Sequence, residues 1–128
     1  MKNPSEKALN ISGLHHFTVE VKNLEEALNF YLGILGLEEM DTPDNIKEAR
    51  VRWIGFPDGS ALHLIENNKV TVPELAHMAL KVEDLGSWKE YLDSRGCEIK
   101  SPKLNVYNAE RFFINDPSGN RIEIIKQL

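Results

Sequence analysis

Two stretches of alternating apolar and polar residues predict two β-strands of similar design. The first, Leu14–Val21, ends in the run Phe-Thr-Val-Glu-Val, and the second, Leu75–Val82, alternates in the same way. A period of two residues gives a strand one apolar face for packing and one polar face. Because the polar face carries His16 in the first strand and His77 in the second, the pattern indicates a duplicated unit.

Each of these strands is followed by the signals of an amphipathic helix and then by further strands. Asn23 and Asp84 are favourable N-caps, and apolar residues recur at helical spacing until Gly33 and Gly96. The segment 41–45, which contains a proline, reads as a loop. The remaining predicted strands are 37–40, 49–56 and 61–66 in the first copy and 97–100, 111–114 and 121–125 in the second.

The predicted fold class is therefore α+β, with two tandem βαβββ modules. A polar lead-in over residues 1–13 precedes a single domain, 14–128, whose modules span 14–66 and 74–128. If the modules pack about a pseudo-twofold axis, their strands form a mixed sheet that curls into a cup.

The spacing of four polar residues supports the duplication. His16 and His77 are 77 − 16 = 61 positions apart, and His63 and Glu123 are 123 − 63 = 60 positions apart. All four lie on strand faces turned away from the predicted helices, because their immediate neighbours are apolar. In one cup these side chains would converge.

Three imidazoles and one carboxylate suit a borderline divalent ion such as zinc, nickel, iron(II), cobalt or manganese. The predicted site holds one such ion, bound by His16, His63, His77 and Glu123. An ion that prefers six ligands would keep two positions open for water or substrate, which is typical of a catalytic site. Glu123 is the candidate base if it can leave the metal, and Glu20 is the second choice.

Other side chains on the predicted polar face or its rim are candidates for substrate binding, because a charge enclosed in a cup needs a partner or a ligand. The charged candidates are Arg52, Lys81 and Arg111, and Phe113 is a candidate for an apolar wall against the substrate. Arg50 lies on the same predicted rim. Trp53 and Tyr107 could add apolar walls, although core packing explains Trp53 equally well. His15 falls with the helix-facing residues and receives no role.

Composition and charge narrow the classes of partner. The net charge of −5 and the pI near 5.4 argue against nucleic acid, which requires a basic surface. The single cysteine, Cys97, excludes an internal disulfide. No apolar run is long enough to cross a membrane, and Met1–Asn10 lacks the apolar core of a signal peptide. These features predict a cytoplasmic protein that acts on a small molecule.

With these residues in view, the chain resembles the vicinal oxygen chelate superfamily of glyoxalase I, methylmalonyl-CoA epimerase, extradiol dioxygenases and fosfomycin- and bleomycin-resistance proteins. The resemblance covers Leu14 to Lys126 and rests on Leu14-His15-His16, Phe30-Tyr31, Leu35-Gly36-Leu37, His77 and the run from Asp116 to Glu123. It implies the glyoxalase/dioxygenase-like fold, a metal cup usually found in dimers, and His16, His77 and Glu123 as ligands. Position 63 departs from the pattern, since glyoxalase I is similar but has a glutamate there and the epimerase a glutamine.

Three functions remain open at this point. The preferred one is a metal-dependent lyase or isomerase that chelates two neighbouring substrate oxygens and stabilises an enediolate-like intermediate. The histidine at position 63 argues against a methylglyoxal–glutathione lyase specifically. An iron(II) extradiol dioxygenase is the second, and a non-catalytic drug- or metabolite-binding protein is the third. Bleomycin-resistance members typically lack the metal ligands, so the four ligand-type residues argue against this third function.

Overall fold

The computed structural model of the chain describes residues 9–128, so the first eight residues of the predicted lead-in lie outside the described residues. Residues 9–15 form neither helix nor strand. In chain order the elements are β1 (His16–Val21), α1 (Leu24–Leu28), β2 (Glu38–Glu39), α2 (Asp44–Glu48), β3 (Val51–Gly55), β4 (Ala61–Glu66), β5 (His77–Lys81), α3 (Leu85–Ser94), β6 (Ala109–Asn115) and β7 (Arg121–Gln127). A π-helical segment, Asn29–Ile34, continues α1. No helix within residues 9–128 has the length and apolar character needed to cross a membrane.

The strands form two sheets that repeat one arrangement. The first sheet has the order β1-β4-β3-β2 and the second the order β5-β7-β6. In each sheet the opening strand pairs in parallel with the last strand of its half, β1 with β4 and β5 with β7. Both opening strands therefore lie at a sheet edge. The α+β class with the glyoxalase-like arrangement predicted from the sequence is confirmed.

A shared apolar core occupies the helical side of both sheets. The alternation along each strand turns one set of side chains towards α1 and α3, as the period of two predicted. Burial of this set removes apolar surface from water and supplies the main driving force for folding. The side chains with at most 1% exposure include Val21, Leu24, Ala27, Tyr31, Ile54, Leu62, Leu64, Leu92, Ile114, Ile122 and Ile124.

Three local predictions were wrong for physical reasons that the structure shows. The strand predicted for 97–100 is reduced to a bridge between Lys100 and Phe113, because the N–H of Cys97 donates to Leu92 at the end of α3. Of the strand predicted for 37–40, only the two residues of β2 form a strand. The segment 41–45 predicted as a loop contains the start of α2, where Pro43 occupies the cap position and needs no hydrogen-bond acceptor.

The two modules are joined by polar contacts, one of which is buried. The hydroxyl of Tyr31, in the π-helical segment, donates to the carboxylate of Asp116 in the β6–β7 turn at 2.8 Å. Burial, and then the Asp116 carboxylate, raise the pKa of Tyr31 well above its usual value, so the phenol stays protonated. The side-chain amide of Asn120 donates to the carbonyl oxygen of Glu20 at 2.9 Å. The C-terminal end of β1 therefore adjoins the start of β7.

Glu66, at the end of β4, links the first sheet to α1. Its carboxylate accepts from the N–H of Leu24 at 2.9 Å and from the guanidinium of Arg50 at 2.9 and 3.1 Å. The hydrogen bonds from Arg50, and then from Leu24, lower the pKa of Glu66 to about 2.

We expect the substitution Glu66→Gln to lower the thermal midpoint at pH 7 and to have little effect at pH 2. A carboxylate whose pKa is depressed on folding stabilises the protein above its unfolded pKa of 4.5, and this stabilisation is lost as the pH falls towards about 2. Midpoints of thermal unfolding measured between pH 7 and pH 2 check this. A difference between wild type and variant that stays constant over this range would contradict the expectation.

Candidate metal centre

The first half of the candidate site is a stack of three rings on the face of β1, β3 and β4 turned away from the helices. Thr18 is the register partner of His63, and Trp53 is its partner on the other side. The His63 ring stacks on His16 with ring centroids 3.9 Å apart and on Trp53 with centroids 4.9 Å apart. The two imidazoles thus lie face to face rather than pointing at a common centre.

The protonation state of His63 in this half favours the neutral form that binds metal. Burial, and then the neighbouring His16 and His15, lower the pKa of His63 below its usual value. A lowered pKa keeps the imidazole neutral near pH 7, with a free nitrogen lone pair. The Nδ1 atoms of His15 and His16 are 2.8 Å apart, which leaves Nε2 of His16 available to an ion. His15, to which the sequence assigned no role, therefore orients His16.

The second half of the candidate site is a hydrogen-bonded pair on the equivalent face of β5 and β7. Nε2 of His77 lies 2.9 Å from Oε1 of Glu123, whose side chain is 7% exposed. Nδ1 of His77 lies 2.8 Å from the carbonyl oxygen of Leu75. Because a carbonyl oxygen only accepts, Nδ1 carries a proton, and Nε2 is the nitrogen that faces Glu123 and that would bind a metal when it carries no proton.

Arg111 and Phe113 surround this pair. Nη1 of Arg111 donates to Oε2 of Glu123 at 3.3 Å, and Nη2 donates to the carbonyl oxygen of Leu104 at 2.6 Å. Phe113, which is 3% exposed, lies edge-on to His77 with ring centroids 5.4 Å apart. Both residues lie beside the candidate metal ligands, and Arg111 fixes the orientation of the Glu123 carboxylate. Their role in substrate binding stays a prediction.

The two halves have matching registers. His16 pairs with Ala61, two residues before His63, and His77 pairs with Arg121, two residues before Glu123. The spacing of 61 and 60 positions in the sequence therefore corresponds to the same offset across two parallel strand pairs. The two pairs are thus equivalent in their backbone positions.

The four candidate ligands do not meet within one chain. Among residues 9–128, no three His, Cys, Asp or Glu side chains are close enough to hold one ion. The end of β1 that adjoins the second sheet carries Glu20, whereas His16 lies at the opposite end, about 13 Å away along an extended strand. The sequence predicts that all four side chains converge, whereas the structure brings them together only as two separate pairs. The donor chemistry of the two pairs nevertheless fits a borderline divalent ion.

The remaining predicted site residues lie away from the pairs. Arg52 pairs in register with Leu64, so the expectation that it shares the face of His63 was wrong, and its Nε lies 3.4 Å from Oε1 of Glu39. Glu20 is exposed and accepts from the side-chain amide of Asn67 at 3.2 Å. The other placements follow: Lys81 is exposed on the His77 face, Tyr107 is 96% exposed, and Arg50 lies with Glu25 and Glu66.

Comparison with known proteins identifies the family to which the chain belongs. The family model described as Glyoxalase/Bleomycin resistance protein/Dioxygenase superfamily matches residues 13–124. "Glyoxylase I 4" of Arabidopsis thaliana is 25% identical over 97% of this chain and 76% of its own length. A "Probable lactoylglutathione lyase" of Synechocystis is 28% identical over 88% of this chain and 94% of its own length.

Solved structures show the same fold. The crystal structure of a glyoxalase family protein from Bacillus anthracis is 27% identical and covers 100% of both chains with a TM-score of 0.85. The fosfomycin resistance protein FosX of Listeria monocytogenes, at 20% identity, covers 93% of this chain and 94% of its own with a TM-score of 0.78. The match of the family model over most of the chain confirms the resemblance to the vicinal oxygen chelate superfamily that the sequence motifs indicated. The chain belongs to the glyoxalase/bleomycin resistance protein/dioxygenase superfamily.

Proposed function

We propose that the chain is a divalent-metal-dependent enzyme of the lyase or isomerase type, acting on a small molecule with two neighbouring oxygen atoms. The observation that carries this proposal is the pair of equivalent donor sets, His16 with His63 and His77 with Glu123, at matching positions of two strand pairs. The names of the two curated relatives, glyoxylase I and lactoylglutathione lyase, support the reaction class.

The metal-binding part of the proposal has independent support from the fold. A mutant of the FosX protein of Listeria monocytogenes was solved with Mn(II) and 1S,2S-dihydroxypropylphosphonic acid, at 20% identity to this chain and a TM-score of 0.75. In this chain, His16, His63, His77 and Glu123 would hold the ion. A bound divalent ion supplies positive charge that stabilises oxyanion character on the substrate.

The remaining roles, proton transfer and orientation of the catalytic groups, belong to the protein's own residues. Once its carboxylate leaves the ion, Glu123 takes up a proton from the substrate through Oε1, the atom that faces His77, while Arg111 holds Oε2. The hydrogen bond from His77 to the carbonyl oxygen of Leu75 keeps the imidazole in one orientation. Glu20, the second candidate base, lies exposed at the opposite end of β1 from His16 and is the weaker choice.

The site is completed by a second copy of the chain. One copy brings two ligands together in each sheet and leaves each pair short of a full set. A twofold dimer places the first module of one copy against the second module of its partner and creates two equivalent sites. The homodimer expected from the family resemblance and the shared site are thus one hypothesis. A cytoplasmic location is predicted with them.

Complementation between two inactive variants tests this arrangement. In the His16→Ala chain the first module is defective, and in the His77→Ala chain the second module is defective. Unfolded together and refolded, the two chains form mixed dimers in which one site carries both defects and the other carries none. We expect bound metal and turnover to recover to about a quarter of the wild-type values with random pairing.

Each variant refolded alone provides the control and should remain without metal. Failure of the mixture to recover any metal, with dimers present by light scattering, would contradict the shared site. Metal analysis of wild-type protein purified without chelator gives the baseline, about one ion per chain. Oxygen consumption with catechols would instead indicate the dioxygenase, and metal-free protein that binds a cationic drug would indicate the binding protein.

A further inference from the structure

Arg121, the first residue of β7, lies beside the second half of the candidate site. Its register partner on β5 is His77, and Glu123 follows two residues later on the same face of the strand. Strand partners are about 5 Å apart, so a ligand that reaches His77 or Glu123 also comes within reach of the Arg121 side chain. The sequence patterns did not single out this arginine as a substrate-binding residue.

The guanidinium group of Arg121 lies over an aromatic ring. Its Cζ atom lies 3.9 Å from the centroid of the Phe113 ring, which is 3% exposed. A guanidinium stacked on an aromatic face keeps its N–H groups in the plane of the stack, directed outwards. The Phe113 ring thus fixes the orientation of the cation.

Arg121 has no carboxylate partner within ion-pair distance in the part of the chain from residue 9 to 128. Among residues 9–128, its side chain makes one hydrogen bond, from Nη1 to the carbonyl oxygen of Leu75 at 3.4 Å, close to the limit for such a bond. Neighbouring cations on this face are already engaged, Arg111 with Glu123 and Lys100 with the side chain of Asn115. Arg121 is therefore an oriented positive charge with donors to spare.

An open groove gives a small molecule access to this charge. The groove has a volume of ≈ 890 Å³ and runs between the edge strands β1 and β5. Its lining includes Arg121, His77 and Lys81. Lys81 is four residues from His77 along β5, about 13 Å, so Arg121 is the cation within reach of a ligand at His77.

We propose that Arg121 binds the anionic group of the substrate, a small organic oxyanion such as a carboxylate or phosphate. The outward N–H fork fits two oxygens of one anion, and the two neighbouring oxygens of the substrate then lie towards His77 and Glu123. This inference rests on the proposed function for the position of the reacting oxygens. The oxyanion preference itself follows from Arg121 and Phe113 alone.

The competing role for Arg121 is to cover Phe113 with its aliphatic stem. The substitutions Arg121→Met and Arg121→Lys separate the two roles. Methionine keeps an unbranched apolar cover over Phe113 and removes the charge. Lysine keeps the charge and loses the planar fork that binds two oxygens at once. A covering role would leave anion binding unchanged in both variants.

The test is calorimetric titration with paired probes that differ in charge. One pair is 3,4-dihydroxybutanoate and its neutral amide, and the other is glycerol 3-phosphate and glycerol. Each probe carries two neighbouring oxygens, and the two pairs distinguish a carboxylate from a phosphate. We expect wild type to bind at least one anion about tenfold or more tightly than its neutral counterpart. The Met variant should lose this preference, and the Lys variant should retain part of it.

Lys89→Met is the matched control, because Lys89 is an exposed cation on α3 and its loss changes the net charge equally. Equal preference in wild type and Arg121→Met, or no preference in wild type, would overturn the proposal. Titrations with metal-free and metal-loaded protein separate the hypothesis of an oxyanion site at Arg121 from the hypothesis of a metal site. A preference that depends on Arg121 in protein without bound metal upholds the oxyanion site even if the metal proposal fails.

Discussion

Replacement of Glu123 by glutamine is expected to lower turnover by about 10²- to 10⁴-fold, the range for loss of a positioned general base. Metal affinity should fall by at least about 10- to 100-fold, because even partners of metal ligands contribute that much. Glutamine has nearly the same shape as glutamate, and its carbonyl oxygen still accepts from Arg111. It carries no negative charge and takes up no proton. The measurements are bound metal by atomic emission and turnover of the best wild-type substrate.

The control for this substitution is Glu110→Gln. Glu110 is an exposed carboxylate on the adjacent strand β6, and its side chain points to the opposite face from Phe113. It should change neither metal content nor turnover. Thermal unfolding of both variants shows whether the fold is intact. If Glu123→Gln retains wild-type metal content and turnover in folded protein, Glu123 is neither ligand nor base.

Substitution of Asp116 by alanine is expected to lower the free energy of unfolding by about 3 kcal/mol or more. The carboxylate is 4% exposed and accepts four hydrogen bonds at 2.8–2.9 Å, from the Tyr31 hydroxyl, the N–H groups of Ser118 and Asn120, and the Asn120 side chain. Alanine leaves these donors without an acceptor in a site that is largely buried. Urea unfolding at pH 7 measures the change.

Tyr31→Phe isolates the part of this effect that joins the two modules. Phenylalanine fills the same buried space and removes only the hydroxyl that donates to Asp116, at a cost of about 1–3 kcal/mol. In the double variant the two losses should fall short of additivity by about 0.5–3 kcal/mol, since both remove one shared contact. Strict additivity would mean that the Tyr31 hydroxyl and Asp116 do not stabilise each other.

Most of the fold could be predicted because the sequence repeats a local pattern with a strong physical cause. The alternation around His16 and His77 placed both histidines correctly on the face away from the helices, since a strand reverses its side chain at every residue. The N-caps also follow from local chemistry. The Asn23 side chain accepts from the N–H of Glu26 at 2.9 Å, and Asp84 accepts from the N–H of Ser87 at 3.0 Å.

What could not be predicted depends on contacts between distant parts of the chain. The face of Arg52 is set by the register of β3 against β4, and the alternation of a single strand does not specify which face meets the core. The proposed anion-binding role of Arg121 depends on its contact with Phe113 in a neighbouring strand. In the sequence alone, a basic residue after a turn is ordinary. The separation of the two donor pairs depends on how one module packs against the other.

Each donor pair is held by its own parallel strand pair, β1 with β4 or β5 with β7. In the proposed metal site, a change at position 63 would therefore alter one candidate ligand of one half and leave the geometry of His77 and Glu123 intact. A duplicated scaffold of this kind can exchange nitrogen for oxygen donors one half at a time. Under the metal-site proposal, its preference among metals would diverge by single substitutions that leave the hydrophobic interior untouched.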